Sequence, residues 1–165
     1  MEVSFTLHVP PFSLNNMYYK KTFNRTRDAR EWSTLVFQQL QGEYVQQQIN
    51  KFKEKWSPKG NSIRVNLIYR YPIDKLITKD MNISSRSMDC TNVEKPLVDL
   101  MFAKKYHERS FPEGCPNFNI DDKVVIKCIS EKVPSRSGEY EIGVTVESVN
   151  FIEEWKEILE EYGIG

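Results

Sequence analysis

The sequence predicts an α/β (α+β) fold: a single domain with a small mixed β-sheet packed with helices. Four stretches alternate apolar and polar residues with the two-residue period of half-buried strands, and three others repeat apolar residues at helical spacing. The two kinds follow one another in the order β, α, β, α, β, β, α, which sets helices against a mixed sheet. At 165 residues the chain suffices for one proper core, whereas two domains would each be marginal.

In "EVSFTLHV", residues 2–9, Val3, Phe5, Leu7 and Val9 alternate with polar residues, and the strand stops at Pro10-Pro11. "FSLNNMYYKKTFNRTR" has no period and reads as a loop. Asp28 then caps a helix whose stripe is Trp32, Leu35, Val36, Leu40 and, past Gly42, Tyr44 or Val45 and Ile49; it ends before "SPKGN". "SIRVNLIYRYP" turns Ile63, Val65, Leu67 and Tyr69 inward as a second strand ending at Pro72, and residues 73–87 form a long loop of weak pattern.

The second helix runs from Thr91 to about Lys104. Thr91 and Glu94 match a T-x-x-E capping box, and Val93, Leu97, Leu100 and Met101 share the packing face. The loop "YHERSFPEGCPNFNIDD" leads to two closing strands, "KVVIKCISEKV" and "EYEIGVTVESV", joined by the turn "PSRSG". The domain thus spans residues 1–150. Residues 151–165 form an amphipathic acidic C-terminal helix with Phe151, Trp155, Ile158, Leu159 and Tyr162 on one side, packed on the domain or on a dimer partner.

Hydrophobic residues make up 39% and aromatics 12% of the chain, too many for disorder and too scattered for a membrane span. With no secretory signal at the N-terminus, a soluble cytoplasmic protein is expected. Cys90, Cys115 and Cys128 are odd in number and lack C-x-x-C spacing, so they read as reduced thiols; His107 with Cys115 is a poor zinc set. The net charge of zero is unevenly spread. From Glu147 onward stand six acids and one base, leaving 22 bases and 17 acids, a net +5, in residues 1–146. A basic body with an acidic tail is compatible with a nucleic-acid surface, while taken alone a solvated mixed surface is the plainer reading.

The chemistry concentrates in "SMDCTNVEKPLVDL", residues 87–100. Asn92, Lys95 and Asp99 fall on the helix side opposite the apolar face, and the backward lean of helical side chains carries the Lys95 ammonium toward Asp89. Pro96 leaves the first turn irregular, and the helix N-terminus suits a phosphate. The same residues admit a structural reading, with Asp89 as a cap and Lys95–Asp99 as a surface pair. Asp121-Asp122 opens a strand after an irregular loop. The pair is either turn chemistry or, if the sheet sets it beside the second helix, a partner of Asp89 in holding a hard divalent cation.

Three segments, "VPPFSLNNMYYK", "DCTNVEKPLVDL" and "IDDKVVIKCISEKV", stand in one order over the chain up to about Val149. In this the chain resembles the RusA-like Holliday-junction resolvases, whose pattern is a Pro-Pro-Ser-Asn-type loop with Tyr after a strand, D-x-D-N-x-x-K opening a helix, and an Asp-Asp pair starting a later strand. The resemblance implies a homodimeric, Mg²⁺-dependent endonuclease acting on four-way DNA junctions, of a kind commonly encoded by phages and prophages.

Residue by residue, it makes Asp89 the first carboxylate, Asn92 the amide, Lys95 the lysine and Asp121 and Asp122 the later pair. Asp89 and Asp122 would position Mg²⁺, with Asp121 as a further ligand or water-orienting group, while Lys95 opposes charge on the phosphate and Asn92 bonds a ligand carboxylate or the DNA. In the first loop Asn16, Tyr18, Lys20, Lys21, Arg25 and Arg27 carry the chemistry of phosphate-backbone contact. The chain departs from the pattern at Thr91, where many members have a second Asp, in the longer loop from Lys104 to Asp121, and in the acidic C-terminal helix. Thr91 keeps a non-catalytic DNA-binding relative open as the alternative. A phosphate-binding protein unrelated to DNA would leave the basic, tyrosine-rich loop unexplained.

Overall fold

The computed structural model describes residues 1–17, 26–102 and 116–165. Four strands, β1 (Glu2–Leu7), β2 (Asn61–Tyr71), β3 (Val125–Pro134) and β4 (Glu141–Asn150), form one mixed sheet in the order β1-β4-β2-β3. β4 is antiparallel to both neighbours, from Glu2↔Glu147 to Leu7↔Ile142 on one side and from Asn61↔Asn150 to Arg70↔Glu141 on the other. β3 lies parallel to β2, from Ile63↔Val125 to Tyr71↔Pro134.

The turn after β3 therefore does not close a hairpin, because β2 lies between β3 and β4. A parallel β2–β3 pair needs a crossover, and the segment between them supplies it. That segment holds a short helix α3 (Ile73–Leu76), an isolated bridge Ile77↔Ile83 within the expected long loop, and the helix α4 (Cys90–Phe102).

Alternation decides which sheet face is covered. Val3, Phe5 and Leu7 of β1, Ile63, Val65, Leu67, Tyr69 and Tyr71 of β2, and Ile142, Val144 and Val146 of β4 are buried in one cluster with the helices. The residues between them, such as Ser4, Asn66, Arg70 and Thr145, face the open side. α1 (Arg27–Leu40) contributes Trp32, Val36, Phe37 and Leu40 to the cluster, and α2 (Glu43–Lys55) contributes Val45, Ile49 and Phe52.

The single helix expected from Asp28 to just before "SPKGN" is thus two. Gly42 takes extended backbone (φ −56°, ψ 142°) at the junction, and Gln46 Nε2 donates to the Leu40 carbonyl (2.6 Å), satisfying one of the acceptors that the break exposes. The cap of α1 is Thr26, whose Oγ1 accepts from Ala29 N–H (3.1 Å), so Asp28 lies in the first turn, where an acid suits the positive helix end.

Phe118, in a stretch that reads as loop from its sequence, is fully buried. It stacks on Phe102 (centroids 4.9 Å, planes 11° apart) and meets Phe52 edge-on at 5.5 Å.

The C-terminal segment folds as α5 (Phe151–Glu154) and α6 (Lys156–Glu161), with the Asn150 side chain capping the first. Its apolar side is not covered by the domain. Ile152, Trp155, Ile158 and Tyr162 are exposed, and the tail is held by Phe151 N–H donating to the Gly60 carbonyl and by an Arg64–Glu154 ion pair. Among the described residues no helix is long and apolar enough to cross a membrane.

Candidate active site

As the crossover between two parallel strands, α4 runs opposite to both. Its N-terminal end is fixed from the sheet by two donors. Tyr69 Oη, buried, donates to the Val93 carbonyl (2.9 Å), and Lys132 Nζ of β3 donates to Ser87 Oγ (3.0 Å) and to the Met88 carbonyl (3.1 Å). The Val93 carbonyl adjoins that of Asn92, which Pro96 leaves without its helical donor, so the tyrosine serves a turn that the proline disturbs. Tyr69→Phe, measured by urea unfolding, should cost about 1 kcal/mol, the net worth of one such bond. The C-terminal end of α4 is held by Phe118 N–H donating to the Met101 carbonyl (2.9 Å) and Asn117 Nδ2 to the Leu100 carbonyl (2.8 Å).

Asp89 directly precedes the first turn, its carbonyl accepting from Asn92 N–H (3.1 Å). Its carboxylate is exposed and makes no hydrogen bond or ion pair among the described residues. The half-buried Asn92 side chain is likewise unpartnered among the described residues. Thr91 lies inside the helix and is exposed, so the T-x-x-E capping box does not form.

Lys95 does not reach back to Asp89. Its Nζ pairs with Asp99 Oδ1 (3.0 Å), four residues ahead, whereas Asp89 lies about 9 Å back along the axis. The ammonium that stands at the Asp89 end is Lys132, which sequence reading missed. A signal was present, since Cys128, Ser130 and Lys132 pair with the inward Val65, Leu67 and Tyr69, and a lysine on that face must find acceptors.

Asp121 and Asp122 begin a 3-10 turn (Asp122–Val124) that leads into β3. Asp121 accepts from Lys123 N–H (3.1 Å) and lies 3.3 Å from Lys123 Nζ, which is turn chemistry; the half-buried Asp122 carboxylate has no partner among the described residues. This turn stands at the C-terminal end of α4. The 13 residues of that helix put about 20 Å between Asp89 and the Asp121-Asp122 pair. Among the described residues no group of three or more His, Cys, Asp or Glu is placed to hold a metal ion.

The first and third motifs both meet the second, the third through β3 and its leading turn but without setting its Asp pair at Asp89. α4 packs on the 3-10 turn Leu14–Asn16, whose loop is anchored by Trp32 Nε1 donating to the Pro10 carbonyl (2.8 Å) and by Phe12 stacked on Trp32. Asn16 offers its carbonyl to Thr26 Oγ1 (2.7 Å), and Arg27 is exposed with an ion pair to Glu31 (2.8 Å). Tyr18, Lys20, Lys21 and Arg25 lie outside the described residues, as do Lys104, His107 and Cys115. A separate groove of about 720 Å³ opens on the uncovered sheet face between β1 and the α1–α2 corner, lined by Ser4, Thr6, His8, Gln39 and Arg70, away from Asp89.

Burial, aided by the negative charge of Glu94, pushes the Cys128 thiol up to about 12, and burial foremost does the same to the Tyr71 hydroxyl. Cys128 is thus an inert protonated thiol at neutral pH. Both folded values exceed the ordinary ones, so the stability they contribute is present below pH of about 9 to 10 and is lost as pH rises through about 12. Melting temperature should hold up to about pH 9 and fall above it, less steeply in Cys128→Ala.

No protein-family model and no curated protein matches this chain.

Proposed function

We propose that the chain is a Mg²⁺-dependent, structure-specific endodeoxyribonuclease, working as a homodimer on four-way DNA junctions in recombination and repair, in the cytoplasm of a host or prophage-bearing cell. The observation that carries this reading is the exposed Asp89 carboxylate, without a partner among the described residues, at the start of α4, the helix that packs on the 3-10 turn Leu14–Asn16 of the first loop. That is the position the RusA-like resemblance gives to the first carboxylate of its pattern.

The donors there suit magnesium in kind. Asp89 and Asn92 offer hard oxygens one helical turn apart, and Mg²⁺ keeps several waters and takes only one or two carboxylates with substrate phosphate. When bound, the ion supplies charge neutralisation on the scissile phosphate and a hydroxide near neutral pH. The chain's residues orient the DNA around it. N–H groups at the start of α4 face the phosphate, Lys132 adds positive charge at the same end, and Lys95, 60% exposed and held by Asp99, stands along the strand's path. The basic first loop grips the backbone without reading sequence, so selectivity rests on junction shape.

The test is incubation with a synthetic four-way junction, a flap and a linear duplex, each with and without Mg²⁺. Cleavage of the junction only with metal is expected. Binding without cleavage at any metal concentration selects the non-catalytic DNA-binding reading, which is favoured by the distance of Asp121 and Asp122 from Asp89 within one chain. Neutralising Lys20, Lys21 and Arg25 together should weaken binding to every DNA and lower the salt slope by about 0.9 per charge removed.

A further inference from the structure

Between β2 and α4 the chain makes a small projection. α3 leads into a short antiparallel stretch bridged at Ile77↔Ile83, closed by Thr78 N–H donating to the Asn82 carbonyl (2.8 Å) and Met81 N–H to the Thr78 carbonyl (3.0 Å). Leu76, buried in the core, anchors its base. The outside of the projection is apolar. Ile73, Met81 and Ile83 are 54%, 81% and 66% exposed, and Met81 has φ +61°, left-handed backbone that a bulky side chain rarely adopts. A groove of about 700 Å³ follows it, lined by Ile73, Ile77 and Met81 together with Lys79 and Arg86. That volume lies in the range of about 300–1,000 Å³ that holds a small organic group.

We propose that this groove receives one unpaired nucleotide of a branched DNA, with its base against Ile73, Ile77 and Met81 and its phosphates at Lys79 and Arg86. The seating of that nucleotide beside a scissile phosphate rests on the nuclease reading above; the binding itself does not.

Charge selects a phosphate-bearing occupant. Neither Lys79 nor Arg86 makes an ion pair or side-chain hydrogen bond among the described residues, so both ammonium and guanidinium are open to phosphate. The acid that lines the groove, Asp74, has Lys75 Nζ at 3.6 Å, and Asp80 of the turn does not line it. The apolar lining selects an unpaired base. In a duplex the faces of each base are covered by its neighbours in the stack, and only a base outside the stack can lay an apolar face on aliphatic side chains.

The place of the groove agrees with both. Ser84, one of its lining residues, accepts from Ser87 Oγ (2.8 Å), which in turn accepts from Lys132 Nζ (3.0 Å), the ammonium that holds the Asp89 end of α4. Groove and carboxylate thus share one frame. Arg86 precedes Asp89 by three residues, at most about 11 Å of chain. That span equals about three steps of a DNA strand at about 3.4 Å each, so a nucleotide in the groove lies close to a phosphate at Asp89.

The probe is a DNA duplex carrying one unpaired 2-aminopurine, set beside the same duplex fully paired, both without Mg²⁺ so that nothing is cut. Wild type should bind the unpaired form at least about fivefold more tightly, the effect of one buried methylene, and the fluorescence of the base should rise as it leaves the stack. Met81→Asn should erase that preference while melting no lower than wild type, because Asn suits left-handed backbone. Joint replacement of Lys79 and Arg86 by Ala should lower the salt slope for a single strand by about 1.4, at about 0.7 per phosphate contact.

Equal binding of paired and unpaired duplex by wild type, an unchanged preference in Met81→Asn, or an unchanged salt slope in the double variant would each overturn the proposal. So would binding to phosphatidylserine vesicles that Met81→Asn abolishes while the DNA preference stays, which assigns the projection to a lipid surface. If wild type prefers the unpaired base yet cuts no junction at any Mg²⁺ concentration, the nuclease reading fails and the groove stands. If Met81→Asn cuts the junction and binds the unpaired duplex as wild type does, the groove fails and the nuclease reading stands.

Discussion

Replacing Asp89 by Asn should lower Mg²⁺-dependent junction cleavage at least about 100-fold, beyond the ten- to hundredfold typical of a group that merely supports a metal ligand. The fold should be untouched. The carboxylate is exposed and bonds to no described residue, and Asn is as good as Asp at the position flanking a helix start, so melting temperature should stay within about 1 °C. Junction binding should survive because the backbone contacts come from elsewhere. Cleavage rates, gel-shift affinity and a melting curve on one preparation separate these effects. Undiminished cutting would remove Asp89 from the site.

Phe118→Ala should destabilise the fold by about 3–5 kcal/mol, read from the shift of the urea midpoint. Phe118 is fully buried, and its ring joins three elements: Phe102 at the end of α4, Phe52 of α2, and Phe5 of β1 at 6.3 Å. Its removal leaves a cavity between rings that cannot close up without moving a helix. Because its N–H also holds the end of α4, the variant should weaken Mg²⁺-dependent activity through that helix as well as through stability.

Strand and helix periodicity in the sequence located all four strands and the helix Cys90–Phe102 to within a few residues, since half-buried elements must alternate at their own period, but it ran two helices into one over residues 27–55 and again at the C-terminus. What periodicity does not encode is which strands are neighbours. "PSRSG" has the chemistry of a tight turn, yet β4 pairs with β1 and β2, where Val144 and Val146 join the buried face, and the turn serves as a connection over the end of β2. Phe118 escaped notice because a core residue in an irregular segment has no periodic companions. At the site, Asp89 and Asn92 were legible as neighbours through the helix start they share, whereas the packing of the first loop on that helix was not. The Lys95–Asp99 pair was legible as the i,i+4 alternative. Lys132 and the distance from Asp89 to Asp122 depend on the direction in which α4 crosses the sheet, which no local pattern fixes.

The strand order carries one more consequence, for the time at which the protein can form. The one pair of neighbours consecutive in the chain, β2 and β3, is joined by a long crossover, so every ladder among the described strands joins distant parts: Ile63 with Val125, Glu2 with Glu147, Asn61 with Asn150. Contact order is therefore high, and refolding from denaturant should take milliseconds to seconds rather than microseconds. During synthesis the strand that flanks both β1 and β2 is the last one made. Until residues 141–150 leave the ribosome, β1 has no partner and one side of β2 is bare, so from the synthesis of β2 to that of β4 the nascent chain carries two strands with unpaired edges and depends on shielding during that interval.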